Sequence, residues 1–147
     1  MGYRKIICGV TASAHSQKAA LEAARLAKEN GAELIYVYAV DLTFLASGNT
    51  GSLSTDVVRE SLEKLGDQIL GLAEKIAASQ GMESKKMLRE GPVLDVLKDV
   101  IMEEKADLLV LGHEERTFFE KALFKGDVEE HALELKARTG AEIKIIK

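Results

Sequence analysis

Apolar positions along the chain fall into two alternating patterns. Residues 5–10 (KIICGV), 33–40 (ELIYVYAV) and 107–111 (DLLVL) are short, nearly uninterrupted apolar runs, as in strands covered on both faces. Residues 83–89 (ESKKMLR) are mostly polar. Residues 142–146 alternate, with Ile143 and Ile145 opposite Glu142 and Lys144, so these two segments read as strands with a wet side. Between them lie stretches with helical spacing. Residues 16–30 place Ala20, Leu21, Ala24, Leu26 and Ala27 mostly on one face, with Ser13 or Ser16 as N-cap and Gly31 just past the end. Residues 56–80 carry Val58, Leu62, Leu65, Ile69, Leu72 and Ile76 at four-three spacing, the clearest amphipathic signal in the chain. Gly66 and Gly71 lower the helix propensity of that segment, which close packing on a sheet would explain. Gly91-Pro92 opens a helix over 93–104 with Pro92 at its first position and Leu94, Leu97 and Ile101 inward. A last helix over 128–139 turns Val128, Ala132 and Leu135 inward and stops at Gly140.

Strand and helix alternate through five strands and four helices, which with right-handed crossovers predicts a parallel sheet with helices on both faces. The uniformly apolar strands one, two and four belong inside, and the charged strands three and five at the edges. The order 3-2-1-4-5 meets both conditions, giving a doubly wound, Rossmann-like α/β fold. Its switch point lies between strands one and four, so the turn at Thr11 faces the loop after Gly112. That loop, residues 112–127, and the Ser/Thr/Gly-rich connection 41–55 leave the same sheet edge. Connection 41–55 exceeds ordinary strand-to-helix lengths and is expected to be either mobile or functional, while 112–127 is expected to form one wall of any site.

Composition narrows the function classes. A chain of 147 residues, 46% hydrophobic and 30% charged, suits one domain spanning 1–147. A net charge of −4 argues against nucleic-acid and membrane-surface partners. No apolar run approaches a membrane span and the opening residues run straight into a strand, so a cytoplasmic setting is expected. The lone Cys8 sits within an apolar strand and is expected to be buried and inert. Ser13 and Ser16 lack a nucleophile-elbow context, and capping is the reading they support. His113-Glu114-Glu115 has no second His or Cys at ligand spacing, so no metal is expected. Walker A and GxGxxG loops are absent, and Thr11 stands where a receiver domain would need an acid.

The segments KIICGVTASAHSQKAALEAARLAKENGAELIYVYAV and ADLLVLG resemble the universal stress protein family over essentially the whole chain. The resemblance implies the fold just derived, a cytoplasmic setting and a homodimer paired through the last strand, Glu142–Ile146, with further protein partners unknown. It also implies, for one branch, ATP or AMP bound with Mg²⁺. The nucleotide site so implied comprises Thr11, Ser13, Val40, Gly112, His113, Gly126 and Asp127. That branch carries Gly, two residues, Gly, nine residues, Gly, then Ser or Thr. Here Gly112 matches the first glycine, Glu115 replaces the second, Gly126 fits only a loop one residue longer, and Asp127 takes the Ser/Thr place. Thr11 replaces the branch's acid after the first strand. Glu114, Glu115, Asp127, Glu129 and Glu130 would gather carboxylates around a phosphate, each close pair repelling by roughly a few kcal/mol. Arg116, Lys121, Lys125 and Mg²⁺ would offset part of this.

The expectation is therefore a non-catalytic homodimeric regulatory domain with nucleotide binding weakened or lost and no cofactor required. At most, slow nucleotide hydrolysis would remain. The alternative is an ATP- or AMP-binding sensor using the altered loop. A sharper expectation is that Phe44 and one of Phe118 or Phe119 fill the nucleotide's volume.

Overall fold

The computed structural model describes residues 2–42, 55–112 and 128–147, with side chains from 132 onward in the last segment. Its elements are β1 (Lys5–Gly9), α1 (Ala14–Asn30), β2 (Glu33–Val40), α2 (Thr55–Ser79), β3 (Lys85–Glu90), α3 (Val93–Glu104), β4 (Leu108–Gly112), α4 (Val128–Thr139) and β5 (Glu142–Ile146). All five strands are parallel, in the order β3-β2-β1-β4-β5. The polar third and alternating fifth strands stand at the edges, as their charges require.

Strand periodicity sorts the core into two layers. Ile6, Cys8, Leu34, Tyr36, Leu108 and Val110 face α1 and α2, while Ile7, Ile35, Val37, Leu109 and Ile143 face α3 and α4. The first layer is thin because α1 meets the sheet with alanines: Ala19, Ala20, Ala23, Ala24 and Ala27 are all buried. This close approach lets the buried Tyr36 hydroxyl donate to the Ala20 carbonyl at 2.8 Å, so the phenol enters the core with its polar end satisfied.

The helices are rotated from the predicted faces. Leu21 is 45% exposed, and Leu65 and Leu72 are 40% and 53% exposed. On α2 the buried line is Gly66, Ile69, Leu70, Ala73 and Ala77. The reason is steric: against a sheet already bearing Tyr36, Tyr38 and Leu88, the small residues of each helix give the closer fit.

The two α2 glycines then separate. A Cβ on Gly66 would lie 2.6 Å from Tyr38 Cδ1 and 2.8 Å from Leu88 Cδ1, whereas one on Gly71 would meet nothing within 4 Å. Packing accounts for Gly66 and not for Gly71. Gly66→Ala is expected to destabilise the fold by about 1–3 kcal/mol through overpacking. Gly71→Ala is expected to stabilise it by about 0.5–1 kcal/mol through helix propensity. Urea midpoints that move in the same direction for both variants would refute this placement of α2.

Helix ends follow local chemistry. Ser13 caps α1, its side chain accepting from Ser16 N–H, and Gly31 closes the helix in the left-handed region at φ 64°. Pro92 is the N-cap of α3 and not its first helical residue, because ψ of 138° leaves it extended; its carbonyl accepts from Val96 N–H at 2.9 Å. The remaining boundaries differ from the sequence expectation by one or two residues, within ordinary fraying.

At the amino-terminal edge of the sheet, Asp107 binds the start of β1. Its carboxylate accepts from the backbone N–H of Arg4 at 2.9 Å and of Lys5 at 3.1 Å. Its own N–H donates to Lys5 O, and its carbonyl accepts from Glu142 N–H, both at 3.1 Å. One residue thereby links β1, β4 and β5 before any ladder begins. Beside it, Lys5 pairs with Glu33 and Glu104, and Lys85 also pairs with Glu33. Lys85 first, then Lys5, hold the Glu33 carboxyl below its usual range; exposure keeps the energetic yield small.

Candidate functional site

The carboxyl ends of β1, β2 and β4 converge, with the β1–α1 turn lying between β1 and β4 at the switch point of the strand order. In an open α/β sheet this is where ligands bind. Of the residues expected to form a site, the structure brings Thr11, Ser13, Val40 and Gly112 to this edge. His113, Gly126 and Asp127 lie outside the described residues, as do Phe44, Glu114, Glu115, Phe118 and Phe119.

The β1–α1 turn is closed on itself. Thr11 N–H donates to Ser16 Oγ at 2.7 Å, and Ser16 N–H donates to Ser13 Oγ at 3.0 Å. Ser13 N–H reaches Thr11 Oγ1 at 3.3 Å, and the Thr11 hydroxyl donates to Ser13 Oγ at 3.2 Å. Gln17 N–H meets Ser13 O at 3.3 Å. A helix amino terminus attracts anions through N–H groups left without partners. Here the N–H groups of Thr11, Ser13 and Ser16 are taken by the turn's hydroxyls, and that of Gln17 makes the first helical bond of α1. Ser16 is the residue whose role the sequence did not disclose. Considered there as an alternative N-cap, it lies inside α1, is 2% exposed, and secures the chain as it leaves β1. Its hydrogen bond to Thr11 spans five residues across a turn whose conformation no periodicity encodes.

Gly112 lies against this turn. A Cβ there would be 2.7 Å from the carbonyl carbon and oxygen of His15 and 2.8 Å from Ser16 N, all backbone atoms. The glycine is thus required by the approach of β4 to the first turn of α1, whether or not a phosphate follows. His15 supplies its backbone to that approach. On the other side, the Val40 carbonyl accepts from Gly91 N–H at 2.9 Å, and Gly91 takes a positive φ of 148° to reach it.

Charge at this edge leans acidic among the described residues. Asp41 follows Val40, and Glu90 is paired in register with Val40. Arg59 bridges Glu90 and Asp56, joining the start of α2 to the end of β3. The Asp56–Arg59 pair is legible as a one-turn helical spacing; the pairing with Glu90 depends on the tertiary fold. Among the described residues no group of three His, Cys, Asp or Glu is placed to hold a metal ion, and no helix is long and apolar enough to cross a membrane.

Cys8 lies at the base of this region, fully buried in β1, where desolvation pushes its thiol up. An aromatic disulfide reagent is expected to leave the native protein unlabelled and to titrate one thiol in denaturant. Stoichiometric labelling within minutes without denaturant would contradict that burial.

Comparison with known proteins places this geometry in context. The model of the universal stress protein family matches residues 2–135. A universal stress protein of Methanocaldococcus jannaschii is 30% identical over 131 residues, covering 89% of this chain and 76% of the relative. Among solved structures, a universal stress protein in complex with cAMP is 22% identical with a TM-score of 0.71, over 99% of this chain and 98% of the other. The Archaeoglobus fulgidus universal stress protein in complex with dAMP is 18% identical with a TM-score of 0.67, each chain covered completely.

Proposed function

The chain belongs to the universal stress protein family, and from that premise we propose that it is a non-catalytic, homodimeric regulatory domain whose nucleotide binding is weakened or lost. The observation that carries this reading is that the β1–α1 turn presents neutral hydroxyls that bond within the turn. The hydroxyl oxygens of Thr11, Ser13 and Ser16 are spent on hydrogen bonds within the turn. Thr11 also brings no charge to the position where the nucleotide-binding branch has an acid. Retention of Gly112 does not weigh against this, because packing against α1 requires it. The acids of the loop 113–127 add repulsion toward a polyphosphate in the sequence alone.

Calorimetric titration with MgATP and MgAMP tests the reading, after a denatured sample has been checked for co-purified nucleotide. The expected result is no saturable heat up to millimolar nucleotide and nothing co-purified. Binding with a micromolar Kd would overturn it.

The second reading is a sensor of AMP or ATP, with Mg²⁺, built on the altered loop. It is favoured by the fold shared with relatives solved with cAMP and with dAMP. Thr11, Ser13, Val40 and Gly112, with His113, Gly126 and Asp127 from the loop, would then line the site. The same titration decides between the two.

Dimerisation is assigned to β5, an edge strand whose outer side must be covered or defended. Light scattering at micromolar concentration is expected to give twice the chain mass. A monomer mass would refute the assignment. The protein partners of such a dimer would be cytoplasmic.

A further inference from the structure

We draw no further inference here: the strongest candidate, the exposed apolar patch of Val57, Leu65 and Leu72 on α2, has nothing in the structure to show what covers it.

Discussion

Gly112→Ala is expected to destabilise the protein by about 3 kcal/mol, the upper end of the overpacking range. The size follows from what the added methyl would meet. At Gly66 the obstructing atoms belong to side chains, which yield by changing rotamer. At Gly112 they are the His15 carbonyl group and the Ser16 amide nitrogen, at 2.7–2.8 Å. Relief requires α1 to lift from the end of β4. That lift would also disturb the hydrogen bond from Thr11 N–H to Ser16 Oγ, leaving a strand-end N–H without its acceptor. For a domain of this size the melting temperature should fall by roughly 6–12 °C. Thermal unfolding of the variant beside wild type and Gly71→Ala checks it. A Gly112→Ala protein as stable as wild type would mean that β4 and α1 are not in contact there. Gly112 would then be available as a phosphate-cradle glycine, and its retention would count in favour of the sensor reading.

Asp107→Ala is expected to cost about 2–3 kcal/mol. Two backbone donors lose a charged acceptor, each such bond contributing about 1.5–3 kcal/mol in favourable settings. Partial exposure of the site lets water recover part of the loss. The variant should shift the urea midpoint without changing the m-value, since the change is local and the surface exposed on unfolding is the same. Asp107→Asn keeps an acceptor oxygen but not the charge, and should lose about half as much. If both variants match wild type, the binding of Arg4 and Lys5 to Asp107 does not contribute to holding β1 against β4. The result bears on function through geometry: β1 and β4 are the strands whose far ends bracket the switch point.

Much of this architecture was legible before any coordinates. The three apolar runs identified the central strands, and the charges in ESKKMLR and EIKII identified the edges, because an unpaired strand edge tolerates polar side chains and a central strand does not. Gly31 could be read from residue type and position, and Ser13 as one of two candidate N-caps. Helix orientation was the weaker part. Leu21, Leu65 and Leu72 satisfy helical spacing as well as their neighbours do, yet they face outward. Periodicity scores hydrophobicity, whereas the depth to which a helix sinks onto a sheet is set by volume. The alanines of α1 and Gly66 of α2 win on volume.

The nature of the site divides in the same way. Residue order alone determined that Thr11, Val40 and Gly112 would meet at one sheet edge, because parallel strands and right-handed crossovers admit few arrangements of this pattern. It also determined that the turn would contain neutral hydroxyls. Only the tertiary structure decided where those hydroxyls are spent. Ser16 turns back to the Thr11 N–H, and α1 comes close enough to β4 that Gly112 has no room for a side chain. Hydrogen-bond partners across a turn, and contacts between elements far apart in the chain, depend on distances of a few tenths of an ångström. Residue identities do not encode such distances until packing has set them.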